Sequence, residues 1–198
     1  MTTTRQQILD TAAELIEAQG YHATGLSEII RVSGAPKGSL YYYFPGGKEE
    51  LVAEAVRSTG GTVLERIRTE LDRFDDAVDA VREFLLTLAQ HVAASEYRGG
   101  GPITTVALES ATTAEQINLA CREVYASWQA AFADKLVASG VASPRATRLA
   151  SVLVATLEGA IVLCRTRHSP APLVSAADEM GLLLGAAMPD GTGVGKGE

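Results

Sequence analysis

Apolar residues recur at intervals of three and four along almost the whole chain, which is typical of helices that bury one face. Few prolines, abundant Ala and Leu, and a low aromatic content also favour helices. The pattern predicts an all-α chain of about nine helices. The first helix is predicted to begin behind Thr2-Thr3-Thr4 and to end at Gly20, and the second to begin behind Thr24 or Ser27 and to reach Ser33. The remaining predicted helices cover about residues 36–44, 47–74 with an interruption at 58–61, 75–95, 103–110, 113–139, 144–167 and 173–188.

The stretch from Gly34 to Leu51, GAPKGSLYYYFPGGKEEL, carries the most informative pattern. Because Gly permits a left-handed turn and Pro is tolerated in the first turn of a helix, a new helix should begin at about Pro36 or Lys37. Leu40 and Phe44 lie four residues apart and can share a buried face. Since another short helix precedes the turn, the stretch predicts a helix-turn-helix, whose second helix enters the DNA major groove.

Adjacent tyrosines distinguish this short helix from an ordinary core helix. Tyr41 and Tyr42 are consecutive, so they cannot both lie on the buried face. The segment Lys37-Gly38-Ser39 before them makes a small, polar and cationic surface. An aromatic core cluster is the alternative, but these neighbours favour a helix that faces DNA.

The same residues resemble the N-terminal signature of the TetR/AcrR family of transcriptional regulators. That signature consists of an amphipathic first helix, a GxLYxxF recognition helix and a K-E-x-L start of the fourth helix, matched here by Gly38–Phe44 and Lys48–Leu51. The match is specific over residues 5–51 and diffuse afterwards. The amino-acid sequence of this stretch is most similar to that of the LmrA and YxaF branch of the family. The later segment GPITTVALE also resembles that branch, with Gly101 where the branch usually has Cys.

The resemblance implies a homodimer with a DNA-binding domain at residues 1–46 and a ligand-binding and dimerisation domain at residues 47–188. Residues 189–198 form a Gly-rich tail that we expect to be disordered. Such a protein would be a repressor that binds palindromic double-stranded operator DNA as a dimer and leaves it when a small apolar or aromatic effector binds. A small-molecule binding protein without DNA binding and a ligand-independent repressor remain open as alternatives.

The candidate DNA contacts fall into two groups by position on the second short helix and around it. Lys37, Gly38 and Ser39 are predicted to approach base edges, which carry sequence information. The residues predicted to contact mainly phosphates are Thr24, Tyr41, Tyr42, Tyr43 and Lys48.

Charge does not by itself indicate a nucleic-acid partner. The chain has a formal net charge of −7, and residues 1–50 hold more carboxylates than cations. DNA binding must therefore use a few local cations and helix N-termini aimed at phosphates.

Two glycines are predicted to interrupt the fourth helix. Gly costs about 1 kcal/mol relative to Ala inside a helix, so Ser58-Thr59-Gly60-Gly61 predicts a kink or a break. Either a hinge beside the DNA-binding module or a simple surface bend would fit. Farther upstream, Thr24 or Ser27 is expected to cap the second helix.

The chain contains no recognisable catalytic motif. Its three histidines are far apart, and GxSxG, HExxH, CxxC and P-loop patterns do not occur. We therefore expect no enzymatic activity, no metal and no cofactor. Cys121 and Cys164 lie in apolar helical patterns and should be reduced core residues.

The N-terminus has no apolar segment of the kind found in signal peptides. The longest apolar run, Val152 to Cys164, is too short to span a membrane and contains Glu158. These features predict a cytoplasmic protein with no membrane partner.

Two roles compete for the second half of the chain, namely a ligand pocket between helices and a solid core that only dimerises. The resemblance favours the pocket. Its candidate lining residues are Phe84, Leu88, His91, Glu109, Arg122, Tyr125, Trp128 and Cys164.

The last two helices are predicted to form a two-fold dimer. The second half of helix eight is apolar around its circumference, so it needs a partner beyond its own domain. Pairing helices eight and nine of each subunit would give a four-helix, isologous interface. The candidate interface residues are Leu153, Leu157, Ile161, Met180 and Leu184. Complete burial of both helices within one monomer is the alternative.

Overall fold

A computed structural model of the chain describes residues 3–111 and 114–189, and the predicted tail after Pro189 lies outside them. Within the described residues the chain forms nine α-helices and no strand, which confirms the predicted all-α fold. The helices are α1 (Thr4–Gln19), α2 (Leu26–Ser33), α3 (Lys37–Tyr43), α4 (Gly47–Leu71), α5 (Ala77–Ala94), α6 (Thr104–Ser110), α7 (Glu115–Ala138), α8 (Ser143–Arg167) and α9 (Ala171–Gly185).

The ends of α1 follow from its capping residues. Thr3 is the N-cap, and its hydroxyl accepts a hydrogen bond from the Gln6 N–H at 3.2 Å. At the other end Gly20 adopts φ 88°, a conformation that favours glycine, and its N–H donates to Ile16 O at 2.8 Å. The predicted start and end of this helix are confirmed.

The chain divides into two compact units. The first contains residues up to Glu65 together with Ser95–Ser127, and the second contains Arg66–Ala94 together with the described residues from Trp128 onward. The first unit thus holds α1, α2, α3 and α6 and the N-terminal parts of α4 and α7. The boundary at residue 46 remains a prediction, because the helix-turn-helix shares its unit with α6 and with parts of α4 and α7.

The predicted break in α4 is wrong, since the helix continues through Gly60 and Gly61 to Leu71. A kink or hinge at these glycines stays a prediction. Gly60 has a packing reason instead. A Cβ placed there would meet Val124 Cγ2 at 2.4 Å, so the absent side chain lets α7 lie directly against α4. A Cβ at Gly61 would meet nothing within 4 Å. An Arg57–Glu123 ion pair at 2.8 Å also joins these helices.

In the second unit, α9 packs against both α5 and α8. Phe84 on α5 and Phe132 on α7 meet edge to face with ring centroids 5.5 Å apart. The Lys135 ammonium donates to the Phe74 carbonyl, which fixes the end of the loop before α5.

Among the residues that the structure describes, one helix, α8, is long and apolar enough to cross a membrane by length and composition alone. Its side chains at Leu149, Leu153 and Ile161 are buried within the second unit. A core helix of a folded domain has the same composition, so α8 gives no indication of a membrane.

Candidate DNA-binding, effector and dimerisation sites

The turn between α2 and α3 is built by local hydrogen bonds and one glycine. Gly34 ends α2 in the left-handed conformation with φ 67°. Ser33 supports the turn, because its hydroxyl donates to Ile30 O and accepts from the Ala35 N–H, both at 3.3 Å. The Ser39 N–H then donates to Pro36 O at 2.8 Å as α3 begins. The predicted turn and the predicted start of α3, the second helix of the helix-turn-helix, are confirmed.

One side of α3 is anchored in the first unit. Leu40 and Phe44 are completely buried, as their four-residue spacing predicted. The Arg5 guanidinium lies 5.4 Å from the centre of the Phe44 ring and also pairs with Glu54 on α4. The position of α3 is therefore fixed by both α1 and α4.

The opposite side of α3 is exposed and polar. Lys37 and Gly38 are exposed, and Tyr41 and Tyr42 expose 55% and 80% of their surface. Ser39 lies at the edge of this face and is half-buried. We call these five residues the α3 face.

No contact among the described residues requires a glycine at position 38. It is exposed, its backbone is ordinary helix, and a Cβ at this position would meet nothing within 4 Å. A helical glycine costs about 0.5–1 kcal/mol relative to alanine. The missing side chain gains nothing inside the protein, so it suits the close approach of an external partner.

Tyr43 and Thr24 are less accessible than the α3 face. Tyr43 is half-buried, with its ring edge to face against Tyr42 at a centroid distance of 5.1 Å. Thr24 is fully buried, and its hydroxyl donates to Gly20 O at 2.8 Å. Thr24 therefore does not present its side chain to DNA. It also does not cap α2, because Gly25 is the N-cap and no side chain serves there; Ser27 lies inside the helix.

Lys48, a predicted phosphate contact, is engaged within the protein. Its ammonium donates to Tyr21 O at 2.6 Å and lies 4.2 Å from the centre of the Tyr21 ring. Partial burial lowers the pKa of Lys48, and the nearby Glu109 carboxylate opposes this effect. Because an ammonium has three donors, Lys48 keeps donors for another acceptor while it holds the loop between α1 and α2.

Several carboxylates of the N-terminal region bind the protein's own donors. Glu28 accepts from the Gln19 amide at 2.8 Å, and Glu50 accepts from the Gly46 N–H at 2.6 Å. Glu49 accepts from the Gln116 N–H at 3.0 Å. These three carboxylates therefore have partners within the protein, and none of them belongs to the α3 face.

The predicted effector-pocket residues are divided between the two units. Glu109, Arg122 and Tyr125 belong to the first, and Phe84, Leu88, His91, Trp128 and Cys164 to the second. Phe84, Trp128 and Cys164 are buried, Leu88 and Tyr125 are half-buried, and His91 and Arg122 are exposed.

Glu109 contacts a different part of the molecule from the one predicted. Its carboxylate accepts from the His22 N–H at 3.0 Å, beside the end of α1. Sequence reasoning had no signal for this contact, because 87 positions separate the two residues.

A small cavity lies in the first unit beside α1, α4 and α6. Its volume is about 10 Å³, which is at the lower limit for one water molecule. It is lined by Ala13, Ile16, Val52, Ala55, Val56, Thr59, Pro102 and Val106. The cavity is too small for an organic effector in this conformation, and none of the predicted pocket residues lines it.

Both cysteines are free and buried, and their place in the core was predicted. Burial raises the pKa of the Cys121 thiol to about 11 and also raises that of Cys164. Neither is a reactive thiolate near neutral pH.

The five predicted dimer-interface residues are core residues of the second unit. Leu153, Leu157, Ile161, Met180 and Leu184 expose at most 6% of their surface. Dimerisation through α8 and α9 stays a prediction, but these five residues are not on the outward side of the two helices. The large apolar residues that α8 and α9 leave exposed are Val152, Val162, Leu163, Val174 and Leu182. We call these five residues the α8–α9 apolar face; its existence argues against complete burial of both helices in one monomer.

Comparisons with known proteins match both parts of the chain. Residues 8–55 match the family of bacterial regulatory proteins named tetR, and residues 77–179 match the C-terminal domain of LmrA/YxaF-like transcriptional regulators. Both families consist of regulators, not enzymes.

Relatives cover almost the full chain. It is 41% identical to YxaF of Bacillus subtilis (strain 168), an uncharacterized HTH-type transcriptional regulator, over 91% of this chain and 94% of YxaF. It is 37% identical to the regulator LmrA of the same organism, over 86% of this chain and 90% of LmrA. A solved TetR regulator from Chloroflexus aurantiacus J-10-FL superposes with a TM-score of 0.77 at 29% identity, covering 93% of this chain and 96% of that one.

Proposed function

Because this chain belongs to the TetR family of DNA-binding transcriptional regulators, in its LmrA/YxaF-like branch, we propose that it is a ligand-responsive repressor. It binds a palindromic operator as a homodimer in the cytoplasm and is released by a small apolar or aromatic effector. The observation that carries the proposal is the exposed α3 face, with an unexplained glycine at its centre.

The α3 face divides into two kinds of DNA contact. Lys37, Gly38 and Ser39 are at the N-terminal end of α3, where the helix dipole favours negative charge. These residues approach base edges. Tyr41 and Tyr42 lie farther along and place their hydroxyls on phosphates. Base contacts set sequence preference, whereas phosphate contacts strengthen all sequences alike.

The electrostatic part of binding is modest. The chain's net charge is −7, so the cations nearest the α3 face supply the attraction. The logarithm of the DNA affinity should therefore fall only slowly with the logarithm of the salt concentration. This slope scales with the number of phosphates that the protein neutralises, and few cations are available here. Lys48, the cation predicted to contact phosphate, is the side chain whose removal should reduce the slope.

Dimerisation through the α8–α9 apolar face supplies the second recognition helix. Exposed apolar side chains grouped on two neighbouring helices are typical of a protein interface. An isologous interface repeats the same face on both subunits. Two-fold symmetry then places the two α3 helices about one DNA turn, or a multiple of it, apart.

Effector release works through linkage. A ligand that binds better to a conformer with wrongly spaced α3 helices weakens operator binding by the ratio of its two affinities. Trp128 is buried in the second unit and is the single tryptophan of the chain. Its fluorescence therefore reports a ligand that enters that core.

Selection of bound fragments from random duplex DNA tests the proposal. We expect enrichment of an inverted repeat, and weaker binding of that duplex by Tyr42→Ala at low salt. Selection without enrichment would refute DNA recognition and leave a small-molecule binding protein. A compound screen on the selected duplex then tests the effector; if no compound changes its affinity, the repressor is ligand-independent.

A further inference from the structure

A carboxylate on α6 reaches into the loop that joins α1 to α2. Glu109 Oε2 accepts a hydrogen bond from the His22 N–H at 3.0 Å. The loop between α1 and α2 covers residues 20–25, so Glu109 binds its backbone directly. The contact lies entirely within the first unit. It connects α6 to the loop that leads into the helix-turn-helix.

The end of α1 is shaped to receive this carboxylate. A Cβ at Gly20 would lie 2.5 Å from Glu109 Oε1 and 3.2 Å from its carboxyl carbon. Gly20 thus serves two purposes, since its φ of 88° is also rare for residues with a side chain. The Glu109 carboxylate occupies the space where any other side chain would begin.

A cation from a third element holds the next backbone group of the same loop. The Lys48 ammonium, on the first turn of α4, donates to Tyr21 O and lies over the Tyr21 ring. The N–H of His22 and the carbonyl of Tyr21 are therefore bound by side chains of opposite charge. The Glu109 carboxylate is near enough to Lys48 to favour its charged form. Within the loop itself, the Thr24 hydroxyl donates a hydrogen bond to Gly20 O at 2.8 Å.

We propose that Glu109 is a positioning residue for DNA binding, which holds the α1–α2 loop and thereby α2 and α3 in the arrangement that fits the operator. The proposal rests on the proposed function, because it assigns how α6 affects DNA affinity. It also changes the predicted roles of two residues. Glu109 holds the α1–α2 loop and does not line an effector pocket. Lys48 holds the same loop, in addition to its predicted contact with phosphate.

The sign of the effect separates positioning from plain charge. Removing a carboxylate from a chain with net charge −7 should strengthen DNA binding on electrostatic grounds. A positioning role predicts weaker DNA binding. Without Glu109 the α1–α2 loop is less ordered in the free protein, and ordering it on binding costs free energy.

The first measurement does not need DNA. Amide hydrogen exchange of the full-length protein is followed at His22 in the wild type, Glu109→Gln and Glu109→Ala. Since hydrogen bonds to charged groups shift local equilibria by about tenfold or more, we expect His22 to exchange at least about tenfold faster in Glu109→Ala. Exchange at Ile8, buried in α1 of the same unit, is the internal reference for intact folding. Unchanged exchange at His22 would overturn the proposal.

The second measurement uses the duplex that the wild-type protein selects from random DNA. Glu109→Gln and Glu109→Ala should bind it at least about fivefold more weakly, from the same loss of a charged hydrogen bond. Glu14→Gln, which removes an equal charge from an exposed position on α1, should remain within about twofold of wild type. Unchanged or tighter binding by both Glu109 variants would refute the positioning role.

Failure of the two proposals can be told apart. If the wild-type protein selects no duplex, the proposed function fails while the exchange rate at His22 still tests the contact. If the wild type binds and the Glu109 variants bind equally well, only the positioning role fails. Glu109→Gln keeps the size of the side chain, so a folded variant is available even if Glu109→Ala is unstable.

Discussion

Replacing Gly38 by alanine should change stability and DNA binding in opposite directions. The new Cβ would project from the exposed side of α3 and meet nothing within 4 Å. Because alanine is the better helix former, the free energy of unfolding should rise by about 0.5–1 kcal/mol. Nothing inside the protein opposes this gain.

DNA affinity of Gly38→Ala should fall, because the methyl group occupies space that a base edge or phosphate approaches. A single base-edge contact is worth about 1–3 kcal/mol, which corresponds to about 5- to 150-fold in the dissociation constant. The loss should be larger for the selected duplex than for an unrelated one, because we propose that this segment contacts base edges.

The assays are chemical denaturation followed by circular dichroism and fluorescence anisotropy with the selected duplex. Gly61→Ala is the matched control, because Gly61 is also an exposed helical glycine with nothing within 4 Å of its added Cβ. It should gain similar stability and keep wild-type affinity. If Gly38→Ala is stabilised and still binds as tightly as Gly61→Ala, α3 does not approach DNA at this position.

Three further outcomes follow from the packing and from the buried thiol. Gly60→Ala should destabilise the protein by about 1–3 kcal/mol because its Cβ meets Val124; a denaturation midpoint equal to that of Gly61→Ala would contradict the close packing of α4 and α7. Leu163→Glu, on the α8–α9 apolar face, should sediment as a folded monomer, whereas Leu108→Glu, at an apolar position exposed on α6, should sediment like the wild type. For Cys121, the folded pKa of about 11 lies above the ordinary value of 9.0, so the unfolded chain loses its proton first. Stability should fall as pH rises from about 9 to about 11, and Cys121→Ser should flatten that part of the curve; an unchanged curve would contradict the burial of the thiol.

Local sequence signals predicted the helices and the turn well. Gly20 and Gly34 need left-handed or unusual backbone conformations, and Pro36 fits only the start of a helix. Leu40 and Phe44 identify the buried side of α3 by spacing alone. These features depend on neighbours within a few residues, so a single sequence contains them.

Features that depend on distant partners could not be predicted in the same way. Gly60 was predicted to break the helix because glycine disfavours helices. The packing against Val124 that explains this glycine could not be predicted, because the two residues are far apart in sequence. The apolar residues of α8 are spread around the helix, so their pattern did not show that Leu153 is core and Leu163 is exposed. The contact of Glu109 with the α1–α2 loop has no local signature at all.

We propose that two copies of this chain read one palindrome through α3. Sedimentation velocity of the protein with intact and half-site duplexes of equal length measures how many chains bind each duplex. We expect two chains, or a multiple of two, on the intact palindrome and much weaker binding to the half-site duplex. A complex with one chain per duplex, or equal affinity for both duplexes, would contradict the account.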